Sequence, residues 1–416
     1  MKPSPSTVKT NGRSYQWPQQ PLVVVCIDGS EPGYVEQAAA TGRAPFFQRL
    51  LEQGTNRLAD CVVPSFTNPN NISIVTGVSP EVHGICGNFF YDRDADAEVM
   101  MNDPKLLRTG TIFKAFQDAG AKIAVITAKD KLRRLLGHGL TLSPDTAVSF
   151  SSEKADEATL EENGITDIPE LVGLPVPSVY SAELSGFVFA AGVKIMERDR
   201  PDIMYLSTTD YIQHKHAPGT PVANDFYSMM DGYLEQLEQM GCTIALTADH
   251  GMNAKHDTET GKPNVIYLQD WMDERLGTEA ARVILPITDP YVVHHGALGS
   301  FATVYLPEGT EPGPVIEDLQ SMETIDCALS REDGCKRFGL PEDRMGDLIV
   351  VSTKHITLGT SADRHDLSGL TEPLRSHGGT SEQRVPLLGN RPSPELAADA
   401  NLRNFDIFDV ALNKMQ

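Results

Sequence analysis

Four short apolar runs constrain this chain more than any other feature: Leu22-Val-Val-Val-Cys-Ile27, Lys122-Ile-Ala-Val-Ile-Thr127, Asp202-Ile-Met-Tyr-Leu-Ser207 and Cys242-Thr-Ile-Ala-Leu-Thr247. Their hydrophobicity is continuous rather than alternating, as in strands buried on both faces. A fifth run, Leu58 to Val63, stops at Pro64. Helical stretches separate them: Pro45–Gln53, Asn70–Thr76, Thr111–Ala119, Ala182–Arg198 and Val222–Met240. Strand alternating with helix predicts an α/β fold with a mainly parallel central sheet flanked by helices. Such sheets hold ligands beyond the carboxyl ends of their strands. Asp28, Thr67, Lys129, Asp210 and Asp249 are placed at that edge. Five polar groups at successive strand ends point to a site more sharply than any one of them.

The chain has 416 residues, enough for one large domain with an inserted part. Residues 1–20, rich in Ser, Pro, Thr and Gln, read as a loose arm. Residues 21–260 and 366–416 read as the catalytic core, closed by a last strand at Val385–Leu388 and a helix at Asn404–Asn413. Residues 261–365 change pattern, with short strands at Asn264–Leu268, Phe301–Leu306 and Leu348–Ser352 between prolines and glycines. They are expected to form an inserted α+β cap. Lys129 to Gly139 reads as a basic turn, and 151–175 as an uneven acidic surface stretch.

Net charge is −22, which argues against nucleic-acid and anionic-membrane partners. An anionic substrate then needs a local positive cluster, which can override the overall field because charges beyond about 8 Å are screened. The six cysteines form no Cys-x-x-Cys pair, so free thiols in a reducing compartment are the simplest account. No apolar run of about 18 residues occurs, and Met1–Gln20 lacks a signal-peptide core. The expectation is a soluble cytoplasmic protein, with a homodimer allowed.

The stretch after Leu58–Val63 carries the most chemistry. Thr67 stands where a helix should begin, Pro69 suits its first turn and Gly77 ends it. A hydroxyl there either caps the helix or serves as a nucleophile in an anion site. Six further residues could bind metal: Asp28, Asp210, His214, Asp249, His250 and His377. Carboxylate with imidazole suits zinc, with manganese or iron as substitutes. Asp210 and His214 are one helical turn apart, and Gly251 supplies the bend that lets adjacent Asp249 and His250 share a site.

Asp28, the Pro64-x-x-Thr-x-Pro-Asn stretch with Thr76-Gly-x-x-Pro-x-x-His-Gly, Asp210-x-x-x-His214, Asp249-His-Gly and His377-Gly run through nearly the whole chain in order. Together they resemble the alkaline phosphatase superfamily, most of all its branch of nucleotide pyrophosphatase/phosphodiesterases and phosphonoacetate hydrolase. The resemblance implies two zinc ions. One would take Asp28, Thr67, Asp249 and His250; the other would take Asp210, His214 and His377. Thr67 would be both ligand and nucleophile, and Asn88 would donate to a phosphoryl oxygen. His214 and His377 would also touch substrate.

No arginine lies near Thr67, which disfavours a plain monoesterase, since the superfamily's serine-nucleophile phosphatases place one beside the nucleophile. Phe66, Phe89, Phe90 and Tyr91 could form an aromatic slot for a nucleotide base or simply be core. Lys129 and Lys131 follow a strand end and suit a second anionic group such as a carboxylate; the alternative is a solvated turn. A lysine pair after this strand is a feature of phosphonoacetate hydrolase. The resemblance therefore implies a small anionic phosphonate substrate, cleaved through a phosphothreonine. The rival readings are a nucleotide phosphodiesterase, a metal-dependent mutase, and a binding protein without activity. His83 reads as a structural hydrogen-bonding residue. His138, His216, His294, His295, His355 and His365 are assigned no ligand role.

Overall fold

The computed structural model describes residues 6–287 and 297–416. Seven strands form the central sheet, in the order Thr55–Asp60, Arg384–Gly389, Thr243–Thr247, Leu22–Cys26, Ile203–Ser207, Ile123–Thr127 and Ala147–Ser151. The last five run parallel. Arg384–Gly389 is antiparallel to both its neighbours. In the register, Thr247, Cys26, Ser207, Thr127 and Ser151 form one row. Residues just past that row leave the sheet at one edge, as expected for Asp28, Lys129, Asp210 and Asp249. The antiparallel strand starts at this edge, so His377 arrives there from the opposite chain direction.

The continuous apolar runs feed two cores. Leu22, Val24 and Cys26 pack on one face of the sheet; Val23, Val25 and Ile27 pack on the other. The second face is covered by the helices Pro32–Ala40, Pro45–Gln53, Glu183–Asp199 and Pro221–Gln239. The first is covered by Thr67–Thr76, Ile112–Asp118 and Ile407–Asn413. Val265–Tyr267 pairs with Thr357–Gly359. Between them a four-stranded antiparallel sheet runs in the order Arg282–Ile284, Phe301–Tyr305, Leu348–Ser352 and Ile325–Ser330. Its apolar face joins the first core without a break, with Phe66 set edge-on to Phe301 at 6.3 Å. Among the described residues, no helix is long and apolar enough to cross a membrane.

Four expectations need correction. The arm 1–20 is not loose over its described part: Thr7–Thr10 and Arg13–Gln16 form a hairpin whose Val8 and Tyr15 are buried in the core. Asn11 and Gly12 both have positive φ, the Asn-Gly turn that closes such hairpins. The basic turn after Lys129 is a helix, Asp130–Leu136, with Leu132, Leu135 and Leu136 buried. Residue 151 ends an edge strand, Ala147–Ser151, all of it buried, and the acidic stretch after it holds short helices at Leu160–Asn163 and Ile168–Val172. The Leu58–Val63 strand is shifted to Thr55–Asp60 because it pairs along the antiparallel edge, where Leu58 stays exposed.

Candidate active site

Two groups of ligating side chains meet at the edge: Asp28 with Asp249 and His250, and Asp210 with His214 and His377. Within each group the ligand atoms lie within 4.8 Å of one another. Asp28 and Asp249 leave adjacent strands. Gly29 turns the chain with φ of 71°, and a Cβ there would stand 3.0 Å from the Cβ of Asp210. Its N–H donates to Asp249 Oδ1 at 3.2 Å, and the His250 N–H donates to the same oxygen at 3.0 Å. Thr208 Oγ1 accepts the Asp28 N–H at 2.9 Å.

The three histidines share one device. His250 Nδ1 is bonded to the Gly251 carbonyl at 2.8 Å, His214 Nδ1 to the Arg375 carbonyl at 2.8 Å and His377 Nδ1 to the Ser65 carbonyl at 2.7 Å. A carbonyl can only accept, so each Nδ1 carries the proton and each Nε2 is turned to the carboxylates. His214 Nε2 lies 2.9 Å from Asp210 Oδ2, and His377 Nε2 lies 3.8 Å from it. His250 Nε2 and Asp28 Oδ1 face each other at 3.2 Å, yet neither buried atom has a hydrogen bond of acceptable geometry. The His250 and His377 rings stack 3.6 Å apart, and Phe66 packs edge-on against His377.

The charges show what the pocket selects. Burial, with Asp210 and Asp249 nearby, pushes the Asp28 carboxyl well above its usual range. Burial also raises Asp249, although His250 pulls the other way. Burial disfavours the His250 imidazolium, but Asp249 and Asp28 overcome it and raise its pKa to about 10. At Asp210 burial is outweighed by His214, then His377 and His250, and the carboxyl is held well below its usual range. Burial, His250 and His214 drive His377 well down. Three carboxylates, Asp28 and Asp249 buried and Asp210 half-buried, compete for positive charge. Oxygen and imidazole donors in this density, with inward Nε2 atoms, fit divalent cations.

Thr67 begins the helix Thr67–Thr76, whose N-cap is Phe66; the cap reading of its hydroxyl does not hold. Asn70 ties the preceding loop to the helix, accepting from the Val62 N–H at 2.7 Å and donating to the Phe66 carbonyl at 3.1 Å. Ser65 clasps the His377 loop: its Oγ donates to the Gly379 carbonyl at 2.9 Å and accepts the Gly378 N–H at 3.0 Å. Gly378 has φ of 121° and a Cβ there would meet the Phe66 ring at 2.5 Å. His83 is a buried support as expected, bonded to Ser73 Oγ at 2.8 Å and accepting the Ile85 N–H.

Asn88 Oδ1 accepts the Asn68 N–H at 3.3 Å, and its Nδ2 donates to the Ile287 carbonyl, leaving a second hydrogen on that nitrogen. Lys129 is partly buried at the N-cap of the Asp130–Leu136 helix. Its Nζ donates to the Val179 carbonyl at 3.1 Å and lies 5.3 Å from the Tyr180 ring centroid. Burial lowers its pKa, while Glu153, Asp210 and Asp28 support its charge and Lys131 opposes it. Lys131 is exposed. Phe66 and Phe90 are buried core residues, not an open slot. His294 and His295 lie outside the described residues.

Sequence reasoning missed three supports. Arg375 presents its carbonyl to His214 and sends Nε to the Gln213 carbonyl at 2.9 Å. Lys255 and Glu382, both fully buried, pair at 2.9 Å behind the His377 loop. Asn71 bridges Thr67 and Asp249. Only Asn71, one helical turn after Thr67, carried a sequence signal.

A mixed α/β sheet with two ligand groups at its carboxyl edge, beside a threonine at a helix start, defines a hydrolase of the alkaline phosphatase type. The chain belongs to the Type I phosphodiesterase / nucleotide pyrophosphatase family, whose profile matches residues 22–380. It is similar to phosphonoacetate hydrolase from Sinorhizobium meliloti 1021, solved in complex with phosphonoacetate and with phosphonoformate. That likeness has 58% identity, coverage of 98% of both chains and a TM-score of 0.95. Murine ectonucleotide pyrophosphatase / phosphodiesterase 5 shares the fold at 17% identity, covering 95% of this chain and 96% of that one, with a TM-score of 0.62. An uncharacterized pyrophosphatase/phosphodiesterase of Schizosaccharomyces pombe is 23% identical over 261 residues, 58% of this chain and 46% of that protein. The chain spans less than half the length of the curated relatives it matches.

Proposed function

We propose that this protein hydrolyses the carbon–phosphorus bond of phosphonoacetate, giving acetate and phosphate through a phosphothreonine at Thr67. The likeness to the Sinorhizobium enzyme over the whole chain supports the reading. The observation that carries the substrate choice is Lys129, a partly buried ammonium just past the end of the Ile123–Thr127 strand, with its Nζ held by the Val179 carbonyl. It would meet an anionic group projecting from a phosphoryl centre held between the two ligand groups.

Two divalent ions, zinc in this reading with manganese or iron as substitutes, would be held by Asp28, Thr67, Asp249 and His250 and by Asp210, His214 and His377. They would supply the charge that activates the Thr67 hydroxyl and neutralises the phosphoryl oxygens. The Thr67 hydroxyl gives up its proton to solvent, Oγ forms a bond to phosphorus, and the bond from phosphorus to carbon breaks. The electron pair leaves with the methylene carbon, delocalises toward the carboxylate as an enediolate, and the carbon takes a solvent proton to give acetate. Lys129 keeps two N–H donors beyond its bond to Val179, and with Lys131 stabilises that charge as it develops. The second hydrogen of Asn88 Nδ2 would donate to a phosphoryl oxygen. Water then displaces Thr67 from phosphorus and releases phosphate. The six cysteines are free and buried, which fits a reducing, cytoplasmic setting.

The test is phosphate release from phosphonoacetate by the zinc-loaded protein, with a nitrophenyl phosphodiester in parallel. Rapid release from phosphonoacetate, abolished by a chelator, is expected. Turnover of the diester alone would move the protein to the nucleotide phosphodiesterases of its family. Thr67→Ala is expected to lower turnover by roughly 10³-fold or more with the fold intact. Undiminished turnover would remove Thr67 from the chemistry.

A further inference from the structure

Asn71 is fully buried in the first turns of the Thr67–Thr76 helix, and its side chain has no capacity left over. Its Nδ2 donates to the Thr67 carbonyl at 3.1 Å and to Asp249 Oδ2 at 3.1 Å. Its Oδ1 accepts from Tyr205 Oη at 2.8 Å and Ser207 Oγ at 3.3 Å. Two donors and two acceptor sites are the whole inventory of an amide. The Thr67 carbonyl can only accept, so the end of the amide facing it is the nitrogen and the end facing Tyr205 is the oxygen. Tyr205 and Ser207 lie in the central strand Ile203–Ser207, which ends near Asp210.

The consequence is a rigid link from the sheet, through one amide, to two parts of the site. Asp249 Oδ1 is already held by the N–H groups of Gly29 and His250. Asn71 fixes Oδ2, so the carboxylate cannot rotate. The same nitrogen holds the first residue of the helix by its carbonyl. We propose that Asn71 is a positioning residue. It keeps Thr67 in register with Asp249, oriented in turn by Tyr205. This rests on the reading of Thr67 as nucleophile and Asp249 as a metal ligand.

The experiment compares Asn71→Leu, Tyr205→Phe and the double variant as zinc-loaded full-length proteins. It measures kcat and KM on phosphonoacetate and on the nitrophenyl phosphodiester, and separately the rate of zinc release to a chromophoric chelator. Asn71→Leu is expected to lower kcat by about 10–100-fold with KM within about threefold, and to speed release of one zinc by about tenfold. Tyr205→Phe gives a smaller loss of the same kind. The double variant is no worse than Asn71→Leu alone, because Tyr205 acts through Asn71. Additive losses, a KM effect without a kcat effect, or unchanged zinc release would overturn the proposal. Should Asn71→Leu fail to fold, Tyr205→Phe decides it: unchanged kcat and zinc release reject the link. If the wild type turns over only the diester, the substrate reading fails while the kcat comparison runs on the diester. If it turns over neither, the zinc-release arm still reads the contact between Asn71 and Asp249.

Discussion

The two ligand groups are built in different ways. Asp28, Asp249 and His250 follow two neighbouring parallel strands, so the sheet register alone brings them together. Their carboxylates and rings are almost wholly buried, and Asp249 is held by three N–H groups. Asp210 and His214 also share one strand end, but His377 comes from a distant loop. That loop is held by the Ser65 carbonyl, by Arg375 behind His214, and by Glu382 beyond Gly379. Secondary structure sets the first group, and tertiary packing against the second sheet sets the other.

The largest test is metal removal. A graded chelator titration of the zinc-loaded protein, followed by metal analysis and activity, is expected to proceed in two steps. The ion at Asp210, His214 and His377 leaves first, since Asp210 is the more exposed carboxylate, and all turnover goes with it. Added zinc restores it. Release of both ions in one step would mean that the groups form a single unit and the contrast is empty.

Next in size is the buried pair. Lys255 Nζ also donates to Ser300 Oγ and to the Lys354 carbonyl, both at 2.7 Å, tying the His377 loop to the second sheet. Glu382 Oε2 accepts the Gly379 N–H at 3.0 Å. Glu382→Ala leaves a buried ammonium without its partner and is expected to cost about 3–5 kcal/mol, read by denaturant melts. Burial works against the Glu382 carboxylate, but Lys255, Ser381 and Asn253 hold its pKa below the usual value. Burial draws the Lys255 ammonium down more than Glu382 supports it. The Glu382 contribution is therefore present above the unfolded carboxyl pKa of about 4.3 and is lost as pH falls through the lower folded value. Glu382→Gln should remove that acid-side slope. Zinc affinity should fall at the His377 group and hold at the Asp249 group; equal loss at both would break the comparison.

This division also explains which parts of the molecule were legible in the chain. The parallel strands announce themselves by continuous apolar runs, and the residues after them carry metal chemistry in their types. Asp28, Asp210, His214, Asp249 and His250 were therefore legible. Ala147–Ser151 was not, because Ser149 and Ser151 interrupt the apolar signal of a buried edge strand. The hairpin at Thr7–Gln16 was masked by polar neighbours, although Asn11-Gly12 marked its turn. Arg375, Lys255 and Glu382 look like any surface charges in a sequence. Only the packing of the late loop shows that each is buried and paired. Supports that act across long chain separations have no local pattern to betray them.

The smallest effects divide the lysines, and they sharpen the comparison because Lys129 senses a carboxylate from each group. Lys129 is partly buried, so its charge would meet a substrate carboxylate in a medium that screens poorly. Its removal is expected to raise KM for phosphonoacetate by about 10–100-fold, on the order of 1.4–2.8 kcal/mol. Lys131 is exposed, and solvent screening should limit Lys131→Ala to a few-fold change. Neither variant should alter kcat on a nitrophenyl phosphodiester, which has no carboxylate to hold. Steady-state kinetics on both substrates measures this directly. Equal effects from the two lysines would mean that the carboxylate lies at the solvent rim, beyond the reach of either ligand group. An unchanged KM in both would leave the substrate's second anionic group without a partner at this strand end and turn the specificity argument toward the phosphodiesterases.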